Sequence, residues 1–282
     1  MPVRLTTLCE NTVGALGFSG EWGLSILVEA GGEAVLLDAG LGDAVVKNAD
    51  VGGVDLGKIS KVVISHGHAD HTGGLRPLLR RLGKQVEVYG HPAMWDKKYA
   101  YVKPPAGGTG RYRYIGVPYC REELEGLGAS FVLHREPVWL NENMVVTGEV
   151  PMTTSFEQVD DNMFVNKDGD FVPDELPDDR ALVVKTAKGL VVVLGCAHRG
   201  MVNTLLHARE ITGVQEIYAV VGGTHLIRAK EDQLRETVEA LRRLGVARIG
   251  VSHCTGLAAA ALLAREFGAA FFFNNAGTVV DL

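Results

Sequence analysis

The stretch VVISHGHADHTGG, residues 62–74, sets His66, His68, Asp70 and His71 within six positions, directly after an apolar run. Neutral imidazole and carboxylate are the donors that a borderline divalent metal takes, at roughly 2.0–2.2 Å for zinc. Four such groups in one loop exceed what a single tetrahedral ion accepts from one side. The spacing therefore suggests two adjacent ions, with His66 and His68 serving one and Asp70 and His71 the other. A solvated turn with incidental histidines is the bland alternative. A lone H-x-H would leave that alternative standing, and this density does not.

A pair of metals needs further donors, and these are expected at the ends of other strands. Of the nine histidines, His198 (VVVLGCAHRG), His225 (YAVVGGTHL) and His253 (RIGVSHCTG) each close an apolar, glycine-flanked run. His91 and His134 also end apolar runs but read as structural, and His207 falls within a helical pattern. Cys196 stands at a strand end two residues before His198. As a thiolate it could ligate or bridge a soft or borderline metal, and as a thiol it would be a small buried hydrophobe. Cys254 would point away from the site if its strand continued.

The elements that must carry these groups are short β-branched strands and amphipathic helices. LSILVEAGGEAVLLDAG reads as a hairpin turning at Gly31-Gly32, followed by a buried strand KVVIS, a helix in TGGLRPLLRRLG and a strand QVEVYG. RALVVKTAKGLVVVLG reads as a second hairpin. After it come helices over GMVNTLLHAREITG, EDQLRETVEALRRLG and TGLAAAALLAREFG, alternating with strands EIYAVVGGTH, RIGVSH and AAFFFNNAG. Each half opens with strands and ends in alternating strands and helices, which implies an α/β fold of mixed sheets covered by helices.

Two segments break that pattern. Residues 92–119 hold five of the seven tyrosines, interleaved with Lys97, Lys98, Lys103, Arg111 and Arg113. Residues 157–179 are acidic and turn-rich. Both read as long irregular excursions, of the kind that often form lids or binding loops. Arginine grips phosphate bidentately and aromatic rings stack on flat heterocycles. Arg111, Tyr112 and Arg113, around a mobile PPAGGTG centre, therefore suggest a cap over a substrate with both an anionic group and a planar ring. A homodimer contact would use the same residue types.

Composition sets outer limits. The chain has 282 residues, 46% hydrophobic and 22% charged, as expected of one globular domain. No apolar run is long enough to span a membrane. The N-terminus shows no charged-then-apolar export pattern, which points to the cytoplasm. The four cysteines are widely spaced, as free thiols or metal ligands would be. The net charge of -6 argues against nucleic acid as a partner.

HGHADH resembles the H-x-H-x-D-H signature of the metallo-β-lactamase superfamily, and AVLLDAG, with Asp38 and Gly40, resembles the DtG turn that precedes it. The element order is similar to that of the αββα sandwich, and the likeness spans nearly the whole chain. LCENT, EWGLS, ISHGHADHTGGL, YIGVP, VVTGEVP, GCAHRGMVN, GGTHL and SHCTG resemble a branch containing methanopterin-pathway dihydropteroate synthases and related hydrolases. The resemblance implies that His253 is a ligand of the second metal, and that Cys196 takes the place of the bridging aspartate. The usual GH before the second hairpin is missing. His198 is then the first choice for the third ligand of the first metal, with Asp178 or Asp179 behind it. Trp22 stands where this branch would carry histidine.

The implied cofactors are two divalent ions, zinc foremost, with manganese or iron as alternatives. The activity that follows is hydrolysis of an anionic small molecule, a phosphoester, through a metal-bound hydroxide that Asp70 orients, with His225 contacting substrate beside the metals. A condensation of a pterin pyrophosphate with an aryl amine is the rival chemistry. A non-catalytic sensor that binds its ligand at the metals is the rival of another class.

Overall fold

The apolar runs sort by parity. In the computed structural model, which describes residues 1–104 and 107–282, Ile26, Val28, Val35 and Leu37 point to one side of their strands and pack against Leu182, Val184, Val191 and Val193 of a facing sheet. Their alternating neighbours Leu27, Ala34 and Leu36 point the other way, onto helices. Strands covered on both faces carry nearly continuous apolar sequence, which is why these segments read as runs rather than as alternations.

The first sheet holds β1 (Val3–Cys9), β2 (Ser25–Ala30), β3 (Glu33–Leu37), β4 (Lys61–Val63), β5 (Val86–Gly90), β8 (Ala129–Leu133) and β18 (Val279–Asp281), in the order β18-β1-β2-β3-β4-β5-β8. The second holds β9 (Val138–Trp139), β10 (Met144–Val146), β13 (Ala181–Thr186), β14 (Gly189–Leu194), β15 (Ile217–Gly223), β16 (Arg248–Ser252) and β17 (Phe271–Phe273), in the order β17-β16-β15-β14-β13-β10-β9. Both are mixed: β3-β4-β5-β8 and β14-β15-β16-β17 run parallel, and the remaining pairs antiparallel. Helices α1 (Ala44–Val51), α3 (Leu75–Leu82) and α4 (Arg121–Gly126) cover the first sheet. Helices α5 (Met201–Thr212), α6 (Glu231–Arg243) and α7 (Leu257–Phe267) cover the second. A single turn, α2 (Ala69–Thr72), precedes α3. This is the expected αββα sandwich.

The two excursions differ from their reading as separate irregular loops. Residues 92–119 contribute β6 (Lys98–Val102) and β7 (Arg111–Tyr114), and residues 157–179 contribute β11 (Met163–Lys167) and β12 (Asp170–Pro173). They join in one antiparallel sheet, β12-β11-β6-β7, in which Tyr99 stands opposite Phe164. A lone two-stranded hairpin is marginal in water, and four strands sharing an aromatic face are not. Tyr112 stacks flat on Phe171 at 3.6 Å, and Tyr99 meets both Tyr114 and Phe171 edge-on. Pro105 and Ala106 of PPAGGTG, a stretch expected to be mobile, lie outside the described residues. Among the described residues no helix is long and apolar enough to cross a membrane.

Candidate metal centre

The C-terminal ends of the parallel strands meet at one edge of the sandwich. Asp38 follows β3, Ser65 and His66 follow β4, Cys196 follows β14, His225 follows β15 and His253 follows β16. Four non-glycine residues at these ends, Asp38, Ala197, His225 and His253, have φ between 51° and 59°. Such backbone costs energy and persists where the surroundings enforce it, commonly at functional sites.

Two glycines let the loops approach. A Cβ on Gly67 would lie 2.2 Å from the Met94 carbonyl oxygen, and one on Gly195 would lie 2.1 Å from Ser65 Oγ. The chain can therefore pass tightly between His66 and His68, and β14 can end against the Asp38–Ser65 pair.

His66, His68 and His198 converge. His66 Nε2 is 2.9 Å from His68 Nδ1 and 3.2 Å from His198 Nε2. Ligands held about 2.0–2.1 Å from one tetrahedral ion stand roughly 3.3–3.4 Å apart, close to this spacing. Burial keeps the His66 and His198 imidazoles well below their ordinary range, and pushes His68 down to about 3. All three are thus neutral, the form that ligates. His198 Nδ1 and His68 Nε2 are buried and carry no hydrogen bond from the protein.

A second group lies beside the first. Asp70, His71 and His253 offer donor atoms within 4.8 Å of one another. His253 Nε2 is 3.3 Å from Asp70 Oδ2. His71 gives Nδ1 to Asp38 Oδ2 at 2.6 Å, which fixes the ring and turns Nε2 inward, 3.1 Å from Cys196 Sγ. Burial opposes charge on His71, but Asp38 and Asp70 outweigh it and hold the imidazole up to about 9. Burial likewise opposes the Asp70 carboxylate, and His71 and His253 hold it well below the usual carboxylate range. A metal cation would supply in place of a proton the positive charge that these carboxylates favour. The donors, their protonation and their spacing all fit metal at both groups, with His66, His71 and Cys196 forming a third overlapping set between them.

The structure brings His198, and not Asp178 or Asp179, to His66 and His68. Asp178 is occupied: Oδ2 accepts from Gly67 N at 2.8 Å and Oδ1 from Lys98 Nζ at 2.9 Å. Asp179 accepts from Arg199 N. His225 packs against His198 with ring centres 4.0 Å apart and the rings tilted at 48°, and its Nε2 pairs with Asp160 at 3.2 Å. His91 bonds Glu149, His134 contacts Arg180 and His207 bonds the Thr147 carbonyl, each away from the centre.

Several residues differ from their reading in sequence. Cys254 faces the site: β16 ends at Ser252, a 3-10 turn follows, and the Cys254 sulfur meets His225 N at 3.3 Å and the Cys196 carbonyl at 3.5 Å. Trp22 donates from Nε1 to Asp70 Oδ2 at 3.1 Å and meets the His253 ring edge-on. Glu10 accepts from His253 N, and Asn11 Oδ1 lies 2.9 Å from His253 Nδ1, so LCENT is the support of His253.

The aromatic–basic segment is not one mixed surface. Side chains alternate along a strand, so Arg111 and Arg113 share a face of β7 and Tyr112 takes the other. Pairing to β6 puts the arginines on the face that carries Lys98, and Tyr112 with Tyr99 and Tyr101. Lys98 itself is fully buried, between Asp174 at 2.8 Å and Asp178 at 2.9 Å. It ties the small sheet to the loop that bears His66 and His68. Breaking a buried pair by removing one partner costs about 3–5 kcal/mol. Lys98→Met is expected to lower stability by that amount in urea unfolding. A loss under about 1 kcal/mol would mean that the two carboxylates do not depend on it.

The sequence profile of the metallo-beta-lactamase superfamily matches residues 23–253. The 7,8-dihydropterin-6-methyl-4-(β-D-ribofuranosyl)-aminobenzene-5′-phosphate synthase of Methanocaldococcus jannaschii is 30% identical over 99% of this chain and 96% of its own. An uncharacterised protein of that organism is 28% identical over 98% of each. The crystal structure of Tm1679, a metal-dependent hydrolase of the β-lactamase superfamily, superimposes with a TM-score of 0.84 at 32% identity, covering 99% of both chains. With its HGHADH loop, its αββα layers and its converging histidines, the chain belongs to the metallo-β-lactamase superfamily.

Proposed function

We propose that the protein is a dinuclear metal-dependent hydrolase of a small anionic molecule, a phosphoester. The convergence of His66 Nε2, His68 Nδ1 and His198 Nε2 beside the Asp70–His71–His253 group carries this reading. His66, His68 and His198 would hold one ion, Asp70, His71 and His253 the other, and Cys196 would reach both. Two such ions lower the pKa of water and stabilise charge on the substrate oxygen.

The protein's own groups place the reactants. Asp70, held through Oδ2 by Trp22 and His253, orients the attacking water with its other oxygen. The water oxygen, giving up one proton to solvent, bonds to phosphorus as the ester P–O bond breaks, and the departing oxygen takes a proton. His225 is placed to donate to it, because Asp160 fixes its Nε2 while Nδ1 is buried without a partner. Arg111 and Arg113 supply charge for the phosphate from the Lys98-bearing face of the small sheet. His225→Ala is expected to reduce kcat about 100-fold, the lower range for a general acid, with full metal content. Loss of a metal equivalent would make His225 a ligand instead.

The full-length likeness to a synthase favours a second reading, in which the same centre joins a dihydropterin to a ribosylated aminobenzene. The two separate in one assay. Metal-loaded protein is given an aryl phosphoester and a pterin pyrophosphate, each with and without an aryl amine. Phosphate released without the amine supports hydrolysis. Pyrophosphate released from the pterin pyrophosphate only with the amine moves the chain to condensation. No turnover with zinc, manganese or iron contradicts both and leaves a ligand sensor.

A further inference from the structure

Beside the Asp70–His253 pair lies a pocket of about 280 Å³, lined in part by Trp22, Ile227, Leu257, Phe273, His253 and Glu10. Trp22 is 53% exposed, Ile227 50%, Leu257 83% and Phe273 52%. Single exposed apolar side chains are ordinary on any surface. Four large ones around one concavity, contiguous with a reactive centre, mark a binding site.

We infer that this pocket holds the planar, uncharged ring of the substrate, while the phosphate lies elsewhere. Trp22 is a fixed wall, since its Nε1 is tied to Asp70 Oδ2 and its ring to the edge of His253. An indole anchored in this way offers a flat apolar surface within one residue's reach of the metal ligands. Phe273 adds a second aromatic surface. The side-chain charge pattern disfavours the anionic end. Glu10 is the pocket's carboxylate, held by the backbone amides of Thr12 and His253, and no lysine or arginine is among the described lining residues. A phosphate would meet that carboxylate with no lysine or arginine beside it, and only the N-terminal turn of α7 to offset its charge. The volume suits one ring system and little more. The inference rests on the proposed phosphoester reading and specifies which part of the substrate binds where.

The test uses two uncharged ring probes, 6-hydroxymethylpterin and aniline, with ribose 5-phosphate as the ring-free control, each titrated calorimetrically into metal-loaded protein. The variants are Leu257→Asp and Phe273→Ala. Leu257 is exposed, and an aspartate in the first turn of α7 suits the helix dipole, so the fold is retained. Both variants should bind the ring probes at least tenfold more weakly at unchanged metal content. Ribose 5-phosphate should not displace the probes. Failure of the ring probes to bind the wild type, unchanged affinity in both variants, or displacement by ribose 5-phosphate would overturn the assignment. So would a change of mass by light scattering in Leu257→Asp, which would make the patch a contact between copies. Ring binding that persists where no phosphate is released supports the pocket and counts against the hydrolase reading alone.

Discussion

His68→Ala yields a folded protein that has lost metal and turnover together. The side chain is buried, and its Nδ1 meets only His66 Nε2, while Nε2 has no partner at all. Removing it therefore strands no hydrogen-bonding partner that helps to hold the fold. What goes is one of three converging neutral imidazoles. Loss of a group that only supports a ligand costs about 10–100-fold in metal affinity or activity, and loss of the ligand itself is expected to exceed that range. His71→Ala should do the same for the other group. It is the less clean variant, because it also leaves Asp38 Oδ2 with Ser65 Oγ as its remaining side-chain partner. Metal content by atomic emission and melting by circular dichroism separate the outcomes. Full metal occupancy in either variant would refute the ligation.

Cys196→Ser is expected to weaken metal binding by more than the roughly 10–100-fold that loss of a supporting group costs, with Cys196→Asp recovering part of it. Burial pushes the Cys196 thiol up and the adjacent Cys254 sulfur raises it further, so the free protein keeps it as a thiol and metal must displace the proton. Affinity through this residue would then rise with pH. Sγ stands 3.1 Å from His71 Nε2 and shares a donor set with His66, which spans the two metal groups. A purely apolar role is the competing account, since buried cysteine often behaves as a small hydrophobe. Cobalt substitution decides: a thiolate-to-cobalt charge-transfer band that vanishes in Cys196→Ser supports ligation. If Cys196→Ala binds metal as tightly as the wild type, the residue is packing.

The donors were legible because their signal is local. HGHADH packs four of them into six residues, and His198, His225 and His253 each follow an apolar run that parallel pairing carries to the same edge. The supports were not legible, because they arrive from far along the chain. Lys98 reads as one basic residue among tyrosines, and it is buried only because Asp174 and Asp178, 76 and 80 residues away, close on it. Cys254 departs from strand parity because the chain leaves the strand after Ser252. The two excursions gave no sign that they pair, since β6 and β11 lie in separate segments and no short turn joins them to fix a register. Arg111, Tyr112 and Arg113 suggested one surface until a strand placed them on two.

The most direct measurement of the central claim is turnover during metal titration. Metal-stripped protein receives zinc or manganese in steps, with bound metal counted and release of phosphate from an aryl phosphoester followed at each step. A two-metal hydrolase is expected to show no activity without metal, little through the first equivalent, and a climb as the second binds, reaching its plateau at two ions per chain. Full activity at one equivalent, or activity that survives a chelator, would contradict it.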